Sequence, residues 1–406
     1  MSSEPLAVTA ADVEAAAACI APHVVRTHSD LSLTLSSLTG TEVVVKFENL
    51  QFTGSFKDRG AANRLARLDD TQRRRGVLAV SAGNHAQGVA YHARRLGIPV
   101  TICMPTSAPF AKIQNTEALG AQVVLVGRTY ADTAAHAAAL VAEHDLELIH
   151  PYDDAHVIAG QGTVGLELIE DHPELDAIVV PCGGGGLLAG MAAFVGERRP
   201  DIELIGVQTE AYPAMCAAFE HQPPPVPGGG TLADGIAVKT PGELTVPIVR
   251  RFVSSMLVVP EADIERAVAL LIEIEKTVAE GAGAASLAAL LAFPERFRDR
   301  RVAVVLSGGN IDARTLGAVL ERNLVRDGRL SGLDLTLDDL PGQLAPVLSV
   351  VAEAGANLVE IEHRRIFDRV APRQALVHLV LETRDRAHLL RVVEALGAAG
   401  YEVRPT

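Results

Sequence analysis

Residues 77–104, VLAVSAGNHAQGVAYHARRLGIPVTICM, are the stretch that decides the architecture. Val77–Val80 is a short, continuous apolar run, Ser81-Ala82-Gly83-Asn84 is a patch of small residues, and His85–Leu96 carries a helical pattern. Val100–Met104 is then a second short, β-rich and mainly apolar run. Strands that read apolar at every position, rather than alternately, are buried on both faces. That pattern belongs to parallel sheets covered by helices.

The same alternation continues outward. A helix is expected through Leu119, a strand at Val123–Val126, and a helix near Asp132–Glu143. Further continuous runs lie at Ala177–Val180, Leu204–Val207 and Val302–Leu306. The fold class is therefore α/β, with two parallel-sheet subdomains, the smaller at about residues 52–155, and a cleft between them. Ahead of them, Thr9-Ala10-Ala11-Asp12 announces a first helix through a Thr-x-x-Asp start. The pattern changes after residue 328, at the Asp327-Gly328 turn. Arg329–Leu337, Ala356–His363, Ala375–Glu382 and Tyr401–Arg404 read as strands, and Gln343–Ala354 and Arg386–Leu396 as helices. This βαββαβ order is ferredoxin-like. The expected domains are thus 1–328 and 329–406.

Composition narrows the function classes. The 406 residues carry 36 basic against 50 acidic side chains, a formal net charge of -14, with no dense Lys/Arg block. Such a chain is repelled by nucleic acid and by anionic membrane surfaces, so neither is an expected partner. Cys19, Cys103, Cys182 and Cys216 are scattered, without CxxC pairing or metal-ligand spacing, and read as reduced thiols. Met1-Ser2-Ser3-Glu4 lacks a basic segment followed by an apolar run, so a signal peptide is not expected, and no apolar run is long enough for a membrane helix. A cytoplasmic protein is the expectation.

Four segments could carry chemistry. In Gly54-Ser55-Phe56-Lys57-Asp58-Arg59-Gly60, a lysine opens a helix beside small residues. On spacing alone it reads as a surface lysine, although partial desolvation would make its amine nucleophilic. In Ser81-Ala82-Gly83-Asn84-His85, small residues at a strand end let backbone amides approach a carboxylate, and Asn84 offers a donor and acceptors. His85 reads as a helix-start residue rather than a general base. Gly183-Gly184-Gly185-Gly186 lies between the strand Ala177–Val180 and the helical run Leu187–Val195, where unscreened N–H groups can cradle phosphate. It fits neither nucleotide fingerprint, GxxxxGK[ST] or GxGxxG. By contrast Gly228-Gly229-Gly230, after Pro223-Pro224-Pro225 and Pro227, has no preceding strand and is a loop. The fourth segment, Ser307-Gly308-Gly309-Asn310, puts a hydroxyl at the end of Val302–Leu306, where ligands of α/β sheets bind, and reads equally well as the N-cap of the next helix.

Taken in order, SFKDRGA, SAGNHAQG, VIAGQGT, PCGGGGLLAG, the EGAGA stretch at 280–284 and LSGGN resemble the fold-type II pyridoxal-phosphate enzymes, most closely their threonine/serine dehydratase branch. The likeness runs from about residue 15 to 325. It implies pyridoxal 5'-phosphate as cofactor, carried as a Schiff base by Lys57, which would also move the substrate's α-proton. Phe56, Asn84 and Leu187 would contact the cofactor, Asn84 at the ring hydroxyl. Gly183, Gly184, Gly185 and Gly186 would bind its phosphate, and Ser307 its pyridine nitrogen. Ser81, Ala82, Gly83, Asn84 and His85 would hold the substrate carboxylate, with Glu280 near the ring or the leaving group. Related serine racemases have a serine at the place of Ala82, and acids for a divalent metal where Gln208 and Ala214 stand. Elimination rather than racemisation, and no such metal, are expected. Residues 329–406 resemble an ACT domain, including Asp339-Leu340-Pro341-Gly342 and Asn357. This implies pairing into a homodimer or homotetramer and an amino-acid effector. One catalytic unit plus one ACT domain is similar to the medium-length threonine ammonia-lyases, whose substrate would be threonine. A serine- or 3-hydroxyaspartate-preferring lyase, or a sensor without catalysis, are the alternatives.

Overall fold

The computed structural model describes residues 6–226, 228–364, 371 and 373–406. The expectations placed on Met1–Glu4 and Pro227 lie outside them. In chain order the strands are β1 (Ser29–Ser32), β2 (Glu42–Phe47), β3 (Val77–Val80), β4 (Val100–Met104), β5 (Gln122–Leu125), β6 (Glu147–Leu148), β7 (Ala177–Pro181), β8 (Glu203–Thr209), β9 (Ser255–Val259), β10 (Arg301–Leu306), β11 (Leu330–Asp338), β12 (Asn357–Arg364), β13 (Gln374–Glu382) and β14 (Val403–Pro405). Among the described residues no helix is long and apolar enough to cross a membrane.

Two parallel sheets form, as the continuous apolar runs require. The smaller has the order β5-β4-β3-β6, and all its pairs are parallel. The larger has the order β1-β2-β10-β7-β8-β9, parallel throughout except for the antiparallel edge pair β1/β2. Every residue of β3 and β7 is buried. The sequence reading contained neither β2 nor β9. It ended the third expected strand at Val126 and began the last at Tyr401, one and two residues from the observed bounds.

The helix Ala155–Asp171 packs against two others, Lys57–Ala66 and Gly186–Arg198, through glycines. A Cβ on Gly160 would stand 2.7 Å from the Arg59 carbonyl oxygen, and one on Gly162 would stand 2.6 Å from that of Gly190. No side chain fits in either place, so backbone lies directly on backbone.

Contacts divide the chain into two compact units, Met1–Asp312 and Ala313–Thr406. The sequence reading sets the boundary at 328; in this division the helix Ala313–Arg326 falls in the second unit, where it packs on β11. That unit is a four-stranded antiparallel sheet, β12-β13-β11-β14, with helices Leu344–Glu353 and Arg386–Ala398. Its order is that of the ferredoxin-like βαββαβ fold. Leu333, Leu335 and Leu337 alternate inward to meet Val347, Val351, Val392 and Leu396 in its core.

Candidate active site

Lys57 is the first residue of its helix, which follows the turn Gly54–Phe56. That turn is sewn to the end of β10: Phe56 N–H donates to Ser307 O (3.0 Å), Gly309 N–H donates to Gly54 O (2.9 Å), and Ser55 bridges to Gly308. The Lys57 and Ser307 segments, about 250 residues apart in sequence, therefore form one local structure. The Ser307 side chain is buried.

The Lys57 amine is half-buried and donates to the carbonyl oxygen of Pro151 at 2.7 Å. Burial pushes it down to about 8, while the carboxylate of Glu280 pushes back. The next residue, Tyr152, lays its ring against Gly184, where a Cβ would overlap it, and reaches Thr240 O with its hydroxyl (3.0 Å). The strand-to-helix segment at Pro151-Tyr152 thus connects the lysine to the glycine loop, and the sequence reading gave it no role.

Gly183–Gly186 runs from the end of β7 into the helix Gly186–Arg198, with Gly185 as N-cap at φ +99°. The left-handed value is one that only glycine adopts without strain. The N–H groups of Gly183, Gly184 and Gly185 donate to no acceptor among the described residues, and the first helical amides that follow are unpaired by geometry. Buried Leu187 lies in that first turn. Unpaired amides at a helix N-terminus, screened by no side chain, fit a phosphate dianion.

Asn84 opens the helix Asn84–Leu96 behind β3, where Ser81, Ala82 and Gly83 are half-exposed. Its Nδ2 donates to Glu280 Oε1 (2.6 Å), and its Oδ1 accepts from Asn310 Nδ2 (2.7 Å), which also donates to Thr53 O (2.7 Å). Glu280 is buried, which with the negative charge of Asp234 raises its carboxyl to about 7 against the hydrogen bond from Asn84. His85 stands apart from its neighbours. Its ring is buried with Nε2 2.9 Å from Ile149 O, and burial plus the nearby Lys57 push it down to about 3. It is a neutral packing residue, which agrees with its reading as a helix-start residue and removes its side chain from the loop expected to hold a carboxylate.

Beneath Lys57 lies a buried ion network. Arg59 donates to Glu48 through Nε (2.7 Å) and Nη2 (2.7 Å), and to Glu167 through Nη1 (2.7 Å) and Nη2 (2.8 Å). Lys46 Nζ also donates to Glu167 (2.6 Å). Burial pushes the Glu48 carboxyl up, but Arg59 and Lys46 outweigh it and hold the group below the usual range. The sequence reading missed this quartet; a lysine inside the apolar run Glu42–Phe47 was its one local signal. Gln208 is likewise buried and hydrogen-bonded on β8, and among the described residues no group of three or more His, Cys, Asp or Glu could hold a metal ion.

A nucleophilic amine, a cradle for a phosphate, a neutral hydroxyl and an amide are what a phosphorylated aromatic aldehyde needs to be held at both ends. Residues 20–308 match the family model described as pyridoxal-phosphate dependent enzyme. The chain is 45% identical over 399 residues to the L-threonine ammonia-lyase of Thermotoga maritima, covering 98% of this chain and 99% of that one. It is 43% identical over 369 residues to the L-threonine ammonia-lyase of Geobacter sulfurreducens, covering 91% and 92%. Among solved structures it is similar to maize serine racemase, with a TM-score of 0.74 and 33% identity over 79% of this chain and 99% of that one.

Proposed function

The chain belongs to the family of pyridoxal-phosphate dependent enzymes, and from that membership we propose that it removes ammonia from L-threonine, giving 2-oxobutanoate. One observation carries the reading: the half-buried Lys57 amine, brought down to about 8, is tied through Pro151-Tyr152 to a tetraglycine turn of unpaired amides. The near full-length likeness to L-threonine ammonia-lyases supports the substrate.

Pyridoxal phosphate, when bound, supplies an electron-withdrawing ring in conjugation with the substrate nitrogen, which acidifies the α C–H bond. The protein's residues do the rest. Lys57 would hold the cofactor and, once displaced by substrate, take the proton from Cα; its burial makes the amine less readily protonated than a solvated lysine. The amides of Gly183–Gly186 and Leu187 would hold the phosphate, Phe56 flanks the lysine, and Asn84 would contact the ring hydroxyl. The backbone of Ser81–His85 receives the substrate carboxylate. Ser307 gives the ring nitrogen a neutral partner, which does not fix a proton there as a carboxylate would. Prompt loss of the β-hydroxyl is then favoured over transamination. Ala82 offers no hydroxyl to return a proton on the opposite face, so elimination is favoured over racemisation despite the likeness to a racemase.

The test is 2-oxo acid release from L-threonine, L-serine and threo-3-hydroxyaspartate. Highest kcat/KM for threonine is expected; a lead for either other substrate refutes the substrate while leaving the chemistry. One methyl is worth only about 1–3 kcal/mol of such discrimination. A purified protein that stays colourless with added cofactor would instead favour the sensor. The second unit we read as an ACT domain that pairs two chains, in a cytoplasmic homodimer or homotetramer, and takes a branched amino acid as effector. Titrating isoleucine and valine at sub-saturating threonine should change the rate; no response refutes the effector.

A further inference from the structure

Gln208 is a fully buried amide on β8 whose Nε2 is spent at the start of the glycine turn. The ladder between β7 and β8 ends where Cys182 N–H donates to Val207 O (2.8 Å). One residue further on, the side chain of Gln208 takes over from the backbone. Its Nε2 lies 3.1 Å from Cys182 O and 3.5 Å from Gly183 O, and donates to both. Its Oε1 accepts the N–H of Cys216 (2.8 Å), which holds the amide in that orientation.

A second group acts on the next carbonyl. Gly184 O accepts from Thr245 Oγ1 (2.8 Å) and from the N–H of Gly242 (3.0 Å). In a trans peptide unit the C=O and N–H point in opposite directions, and no cis peptide occurs among the described residues. Fixing the carbonyls of Cys182, Gly183 and Gly184 therefore fixes, each within its own peptide plane, the opposed N–H groups of Gly183, Gly184 and Gly185. Those are the three amides that donate to nothing else. A tetraglycine turn has no side chains to set its own peptide planes, so the orientation must come from outside.

We infer that Gln208 is a positioning residue that aims the amides of the glycine turn at the phosphate of the cofactor. It touches neither cofactor nor substrate and acts on the anion through the peptide planes. The inference rests on the phosphate assignment above, and its test separates the two.

In Gln208→Glu the acceptor toward Cys216 is kept, but a carboxylate oxygen faces two carbonyl oxygens in place of the donor. Gln208→Met removes the donor without adding charge, and carries the test if the glutamate variant does not fold. The full-length proteins are stripped of cofactor and titrated with pyridoxal phosphate and with pyridoxal, which has the same ring and aldehyde but no phosphate. At least a tenfold loss of affinity for pyridoxal phosphate is expected in either variant, with pyridoxal within twofold of the parent, both measured well below the variant's own, lowered melting temperature. Unchanged pyridoxal-phosphate affinity, or equal weakening of both ligands, overturns the role of Gln208. A parent protein that binds neither ligand overturns the cofactor assignment itself.

Discussion

Replacing Arg59 by Met tests whether the buried quartet holds the start of the Lys57 helix. The guanidinium makes four hydrogen bonds of 2.7–2.8 Å to two carboxylates, a fifth to Thr163 Oγ1 at 3.1 Å and a sixth to Val25 O at 3.4 Å, all inside the protein. With Arg59 and Lys46 against Glu48 and Glu167, formal charge is balanced; without Arg59 one buried carboxylate has no counter-charge. Removing one member of such a group costs about 3–5 kcal/mol, because the partner stays buried. Unfolding entropy of about 2.1 cal/mol/K per residue over a unit of this size converts 4 kcal/mol to a fall in Tm of about 6 °C. The decisive measurement is a double-mutant cycle with Glu48→Gln, by thermal and urea denaturation. The double variant keeps Lys46 against Glu167 and strands no charge, so it should be more stable than Arg59→Met by about 1–2 kcal/mol. If the two costs simply add, the quartet is not a charge-coupled unit and the reasoning fails.

Three further outcomes follow from the site. Capture of pyridoxal phosphate by the apo-protein needs the neutral amine, so its rate should rise with pH and level off above about 8; Glu280→Gln removes the charge that holds the amine up, and should move the midpoint lower. A rate still climbing at pH 10 would mean Lys57 is solvated. Gly184→Ala puts a methyl into the Tyr152 ring and should weaken cofactor binding at least tenfold, partly recovered by Tyr152→Ala; unchanged binding would refute the packing. Asn310→Leu removes the donor shared by Thr53 O and Asn84 Oδ1. Stranding such groups costs about 1–3 kcal/mol, read as roughly a tenfold drop in kcat with cofactor retained, and an unchanged kcat would sink the idea.

What could be read in the sequence was what leaves a local trace. β3, β7, Leu204–Val207 of β8 and Val302–Leu306 of β10 are buried on both faces and so appear as unbroken apolar runs. The tetraglycine turn was separable from Gly228–Gly230 because a strand precedes one and prolines precede the other. β2 was not legible, because Lys46 interrupts its apolar run and its ion-pair partner Glu167 lies 121 residues away. Glu280 and Asn84 meet across 196 residues, and neither carries a local sign of the other. Gln208 entered the sequence reading only as a missing acid. Its positive role depends on where the β7/β8 ladder stops, which is a matter of register and not of residue type.

The helix Ala155–Asp171 has a consequence for how much error the site can absorb. It presses by bare backbone on the helix that starts at Lys57 and on the helix that starts at Gly186. Side-chain contacts have slack, since a rotamer can shift; two main chains in contact have none. The helix is in effect a spacer gauge, and the distance from amine to phosphate loop is machined into it. A bulkier residue at Gly160 or Gly162 should leave every catalytic group intact and still spoil the enzyme, by setting the two ends of one small molecule too far apart.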